Sequence, residues 1–264
     1  MIPRRAVIFI VVLSFLAGVA ATGAQQKGKR GKQAKGADSG AAKAGVRDAR
    51  DVPTGNVLQP RDPELARFGI YEQSAPRAAA AEPVATGLPL ELKAGDRIAL
   101  VGNTLFERGQ LYGHFETLLQ QRFARHELVV RTLAWSADEM GLAPRPANFA
   151  DVEQHLTHEK ADVIFAAFGF NESFAGEAGL EEFRRRLTEY AAGLKRKAFN
   201  GESGPRIVLV SPIANENVPG VAAADLNNER IGKYAEVMRE VAREQQVGFV
   251  DVFRPTHEAL RSLG

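Results

Sequence analysis

Apolar positions along the second two-thirds of this chain follow two different periods. Short runs dense in aliphatic residues come first, at Arg97–Val101, Leu128–Leu133, Ala161–Phe168, Arg206–Ser211 and Gly248–Val252. Their length and β-branched content predict five strands. The third run is apolar almost throughout, as a parallel strand covered on both faces should be. Between the runs the spacing changes to three and four. Leu111, Phe115, Leu118, Leu119 and Phe123 fall on one helical face, as do Leu180, Phe183, Leu187, Ala191 and Leu194. Ile231, Tyr234, Ala235, Met238, Val241 and Ala242 mark a longer helix, and Asn148 is a candidate cap for one running to about His158. Strands alternating with helices predict an α/β domain over 88–264 in three layers, α/β/α, around a five-stranded parallel sheet. Right-handed crossovers restrict its topology, and the flavodoxin-like order 2-1-3-4-5 is expected.

Ahead of Leu88 the pattern is lost. Residues 25–50 are rich in Lys, Gly, Ala and Gln and carry almost no large apolar side chain. Residues 51–87 add Pro53, Pro60, Pro63, Pro76, Pro83 and the run Ala78–Ala81. Such segments bury too little surface to offset ordering entropy, so 25–87 is expected to be a disordered linker, with a short ordered piece around Leu65–Tyr71. Residues 1–24 have the form of an export signal: Arg4 and Arg5, an apolar stretch Ala6–Ala21, then Thr22-Gly23-Ala24. Export to the periplasm, the cell envelope or the medium is the expectation, with an uncleaved anchor as the alternative. Lys27, Lys29, Arg30, Lys32 and Lys35 follow at once and oppose translocation.

Charge sharpens this division. The chain has 264 residues and a formal charge of +2, but its first 87 residues hold 13 Lys+Arg against 7 Asp+Glu. Of the totals of 34 and 32, that leaves 21 basic and 25 acidic residues in the body. A mildly acidic body excludes specific nucleic-acid recognition, which needs a basic face. The basic linker is either a solvated spacer or a contact for an anionic surface. The chain has no cysteine, which rules out disulfides, a thiolate nucleophile and covalent c-type haem.

Candidate chemistry lies where the strands end. In an open parallel sheet all carboxyl ends share one edge, where ligands bind. That edge should carry Gly102–Thr104, Trp135–Asp138, Gly169–Ser173, Pro212–Asn217 and Arg254–His257. Small, hydroxyl and amide side chains there suit acyl chemistry, and each also suits a cap or turn. Ser136 and Ser173 are alternative nucleophiles or loop caps, and Trp135 is a sugar platform or a packing residue. His155 and His158 lie three apart on one expected helix, close to Glu159, and read as a zinc-ligating pair or as exposed helix residues; no third metal ligand has recognisable spacing, so no metal is assigned. The Gly-x-Gly-x-x-Gly, phosphate-loop and Gly-x-Ser-x-Gly motifs are missing, and no cofactor is implied.

In their order and strand context these segments resemble the SGNH, or GDSL-type, hydrolases. Gly102-Asn103-Thr104-Leu105 resembles the family's Gly-Asp-Ser-Leu block. Leu133-Ala134-Trp135-Ser136-Ala137-Asp138 resembles the Ile-Ser-Gly-Asp block, and Gly169-Phe170-Asn171-Glu172 the Gly-x-Asn-Asp block. Val250-Asp251-Val252-Phe253 matches the strand that leads to the last block. The resemblance covers about Leu88 onward. It implies Thr104 at the nucleophile position, with the Thr104 and Ala137 backbone N–H groups and the Asn171 amide receiving an oxyanion. Gly102, Asn103, Trp135, Ser136, Gly169, Glu172 and Ser173 would line the binding edge.

Departures accompany the match. Threonine replaces serine, and its β-methyl restricts χ1. Asn103 replaces an aspartate. Ala137 replaces a glycine, which is tolerable if its φ is negative. The Asp-x-x-His block that supplies the base is not recognisable: Asp251 is followed by Arg254, and His257 is the nearest histidine. The expectation is that this block is missing from the end of the domain. Three readings follow: a weak or inactive hydrolase of carbohydrate acetyl or lipid-like esters, a non-catalytic envelope module that keeps the fold to bind a carbohydrate or an anion, and an interaction domain held to a polyanion by its basic arm. Oligomeric state is not legible.

Overall fold

The structure, a computed structural model, describes residues 69–263 apart from 219 and 221. The expected signal segment and most of the linker lie outside the described residues. Strands β1 (Ala79–Ala80) and β5 (Lys197–Ala198) form a small antiparallel pair. The main strands are β2 (Arg97–Gly102), β3 (Val129–Thr132), β4 (Val163–Ala167), β6 (Arg206–Val210) and β7 (Gly248–Val250). They form one sheet ordered β3-β2-β4-β6-β7, parallel at every pairing. In sequence order of the main strands this is 2-1-3-4-5, as expected.

Period-two alternation divides the core. Ala99, Val101, Ile164, Ala166, Ile207 and Leu209 face one side. There they meet α3 (Val152–His158), α4 (Leu180–Lys195) and α5 (Ala224–Glu244) through Leu156, Phe183, Leu187, Leu194 and Met238. Ile98, Leu100, Val163, Ala167, Val208 and Val210 face the other. That face is covered by α1 (Thr104–Gly109) and α2 (His114–Arg122) through Phe106, Phe115 and Leu119. A smaller cluster joins Ala214, Ile231, Ala235 and Phe253 where α6 (Phe253–Leu263) meets α5. Two apolar faces on each central strand are why the sheet is parallel and sandwiched.

Several sequence-based expectations are corrected. Of the helical face drawn from Leu111 to Phe123, only Phe115, Leu118 and Leu119 lie in a helix, α2, with Phe123 just after its end. The chain breaks at Gly113, whose φ is +63°, and Leu111 is exposed in the connection. Asn148 does not cap α3. Asp151 does, accepting from the Gln154 N–H at 2.8 Å while Gln154 Oε1 accepts from the Asp151 N–H at 3.1 Å. This reciprocal box starts the helix three residues later, because it satisfies two otherwise orphan donors. Helix α6 follows the fifth strand directly and was not foreseen.

Residues 69–87, expected within the linker, are fastened along the body. Tyr71 bridges Phe149, Ala79–Ala80 pairs with β5, and the buried Thr86 hydroxyl accepts from the Ile207 N–H at 2.9 Å. Gln154, wholly buried, donates through Nε2 to the carbonyls of Glu72 and Ala75 at 2.8 and 3.1 Å. Proline and alanine gave no periodic signal here, because backbone hydrogen bonds rather than apolar side chains hold the strap.

Two outcomes test this account. Gln154→Leu leaves the Glu72 and Ala75 carbonyls and the Asp151 N–H without partners, so chemical denaturation should show a loss of roughly 1–3 kcal/mol. Gly102→Ala should cost more. A Cβ there would lie 2.0 Å from the Ala167 carbonyl oxygen, at a φ of +125°. Strain and forced strand separation together should remove roughly 3 kcal/mol or more, read as a lowered unfolding midpoint.

Candidate active site

The ends of β2, β3 and β4 are joined by hydrogen bonds into one edge. Gly102 ends β2 in register with Ala167 of β4. Its missing Cβ lets the backbones touch, and the Asn103 N–H donates to the Ala167 carbonyl at 3.3 Å. The Gly102 carbonyl in turn accepts from the Trp135 N–H at 3.1 Å, which ties the segment after β3 to the end of β2. Asn171 closes the set: its Nδ2 donates to the Asp138 carbonyl at 3.4 Å. The three sequence blocks therefore form one connected surface.

Thr104 opens α1 and is exposed, with buried Asn103 as the residue before the helix. The Asn103 side chain makes no capping bond, and its Nδ2 is buried without a partner. Among the described residues the Thr104 N–H and hydroxyl have no hydrogen-bond partner either. Trp135–Asp138 is a tight turn closed by the Asp138 N–H donating to the Trp135 carbonyl at 3.2 Å. Ala137, its third residue, has φ +67°. The negative φ that would have made alanine harmless is not what the structure shows. This turn position demands the left-handed region, which is why glycine suits it. The Ala137 N–H is unpaired among the described residues.

The remaining predicted binding residues divide. Trp135 is 46% exposed, and Ser136 is exposed with its Oγ donating to Glu107 at 2.9 Å. Glu172 turns inward. Its carboxylate accepts from the Gly169 N–H at 2.8 Å and the Met140 N–H at 3.4 Å, so it braces the β3 and β4 loops against each other. Burial pushes the Glu172 carboxyl above its ordinary range, and these N–H groups pull it back. Gly169 has φ +100° and faces Met238, Phe183 and Pro212, a packing position rather than a binding one. Ser173, expected at the edge, is buried, with its Oγ donating to the Phe170 carbonyl at 2.6 Å. Local turn closure has used that hydroxyl.

None of the five histidines hydrogen-bonds Thr104. His257 lies on α6 with its ring stacked on Phe253, 5.4 Å between centroids. That helix leaves β7, three strand spacings from β2, or about 14 Å. His155, within α3, packs on Phe149, and burial lowers its pKa, with the nearby positive charges acting the same way. Among the described residues no group of three potential metal ligands gathers.

Two contributors escaped sequence reading. Glu107 lies three residues beyond Thr104 on α1 and takes up the Ser136 hydroxyl. Arg145 reaches back to Asp138 through two bonds, at 2.8 and 2.6 Å, with its guanidinium over Trp135. Its only sequence sign is the flanking pair Pro144 and Pro146, which mark a stiff loop without saying what it holds.

Comparison with known proteins bears on this arrangement. A gut microbial diltiazem-metabolizing enzyme superposes with a TM-score of 0.51 and 19% identity, over 69% of this chain and 41% of that one. A catalytic mutant of Axe2, an acetylxylan esterase from Geobacillus stearothermophilus, gives 0.50 and 15% identity, over 66% and 83%. At such identities the likeness is one of fold. No curated protein matches the chain. Residues 94–263 match the model of the GDSL-like lipase/acylhydrolase family. That stretch holds all five sheet strands and every segment of the edge described above, and by this match the chain belongs to the GDSL-like lipase/acylhydrolase family.

Proposed function

We propose that this chain hydrolyses esters, with Thr104 Oγ1 as the attacking atom. One observation carries the reading. Three donors from three separate segments stand close to free on one hydrogen-bonded edge: the Thr104 N–H, the Ala137 N–H, and the Asn171 amide with only a 3.4 Å contact. Donors fixed in advance where negative charge develops are the largest lever on acyl transfer.

In the step proposed, Oγ1 bonds to the ester carbonyl carbon and its proton passes to a base. The carbonyl oxygen takes the charge and is received by the three donors. Collapse expels the alcohol, which regains a proton, and water then frees the acyl group from Thr104. No imidazole meets Thr104 in this geometry, so a water or buffer base has to accept the proton. Hydrolysis should therefore be slow, relying on the oxyanion donors and binding, which alone supply roughly 10³–10⁴-fold over water.

The substrate proposed is a small ester, an acetylated carbohydrate or a lipid-like ester. Exposed Trp135, Leu142, Tyr112 and Phe174 lie on segments that leave the carboxyl edge and offer apolar area to a sugar face or an acyl chain. A rate series on p-nitrophenyl acetate, butyrate and octanoate separates the two. A second reading, a non-catalytic binding module, is favoured by the unaccompanied Thr104 hydroxyl.

Three variants of the full chain decide between them with p-nitrophenyl acetate. Thr104→Ala should bring hydrolysis to background, and a rate equal to the unaltered protein's would remove Thr104 from the reaction. Asn171→Ala should lower kcat by about 10²-fold. Ala137→Gly keeps the N–H and relieves the left-handed alanine at the cost of chain entropy. Its rate should stay within about twofold and its unfolding midpoint should not fall, because the two effects are each about 1 kcal/mol.

A further inference from the structure

We propose that Arg145 is a positioning residue that clamps the turn Trp135–Asp138 and so sets the Ala137 N–H and the Asn171 amide. This rests on the reading of those groups as oxyanion donors.

One guanidinium holds both ends of a four-residue turn. Nη1 and Nη2 donate to the two carboxylate oxygens of Asp138 at 2.8 and 2.6 Å, and the guanidinium carbon lies 4.1 Å from the centroid of the Trp135 ring. The pair is well buried, with side-chain exposures of 11% for Arg145 and 7% for Asp138. Burial makes the two bonds far less replaceable by water than a surface pair would be.

The clamp acts where the backbone needs holding. Ala137, inside the turn, sits at φ +67°, a conformation alanine leaves readily when nothing constrains its neighbours. Trp135 is pinned a second time by the edge of Phe149, 5.7 Å between centroids. Asp138 passes the constraint on, because its carbonyl receives the Asn171 amide. Arg145 itself is presented by a stiff segment, Pro144-Arg145-Pro146, and its Nη1 also donates to the Pro144 carbonyl at 3.0 Å. A planar fork that stacks and chelates together suits arginine and not lysine, whose ammonium is a point charge. With its charge committed to Asp138, Arg145 acts through the turn rather than on the substrate.

The test uses the full chain with Arg145→Lys and, because that variant also disturbs a buried pair, Trp135→Leu, which removes the stack and the Phe149 contact while leaving the Arg145–Asp138 pair in place. Two quantities are read: kcat and KM on p-nitrophenyl acetate, and amide hydrogen exchange of 135–140 by mass spectrometry. The chain's one tryptophan adds a third for Arg145→Lys, its emission wavelength. For Arg145→Lys the clamp predicts kcat lower by about tenfold or more with KM within about twofold and red-shifted emission, and for both variants a lower kcat and faster exchange in 135–140. Unchanged exchange in both variants overturns it. So does faster exchange with unchanged kcat, or, in Arg145→Lys, a rise in KM alone. Should the unaltered protein hydrolyse nothing, the ester reading falls, and the exchange measurement still decides whether Arg145 holds the turn.

Discussion

The site depends on a contact that excludes a side chain. At Gly102 the backbone of β2 lies against the Ala167 carbonyl of β4 so closely that a methyl group has no room. From that contact the chain of dependencies runs outward. The Asn103 N–H takes the Ala167 carbonyl, and Thr104 is placed at the start of a helix. The Gly102 carbonyl takes the Trp135 N–H, and the second loop is set against the first. A glycine here is a positional requirement of the edge, not a flexible point within it.

Around this contact the protein keeps donors and gives up charge. Asn103 stands where the family has an acid, and its amide is buried without a partner. Three nearby carboxylates are engaged: Asp138 by Arg145, Glu172 by two backbone N–H groups, Glu107 by the Ser136 hydroxyl. The result is an edge rich in N–H groups and poor in free bases. It is suited to holding negative charge more than to creating a nucleophile, and the family's chemistry separates those two tasks among different residues.

Much of the architecture was legible because burial writes itself into sequence. Ile164, Ala166, Ile207 and Leu209 are apolar for one reason only, and their period gave strand, direction and layer. The three site blocks were legible for a related reason, since turns after strands need small and amide residues. What stayed hidden was held by the backbone or by distance. The strap of 69–87 is fastened through Gln154 and Thr86, whose partners lie 75 or more residues away. Nothing in a polar residue names its partner. Ala137 misled for a subtler reason. Alanine has no visible preference in sequence, and only the turn around it shows which sign of φ it must take. Ser173 was open to two readings, nucleophile or loop cap, because a hydroxyl beside a strand end can face inward or outward, and its own turn claimed it.

The strap has one more consequence. Tyr71 pairs with Phe149, and the Phe149 ring lies against Trp135. The described strap thus begins beside Trp135 and runs toward the far edge, where the Thr86 N–H reaches the Gln246 carbonyl. Displacing the strap at Tyr71 would therefore loosen Phe149 and, through it, the Trp135 ring.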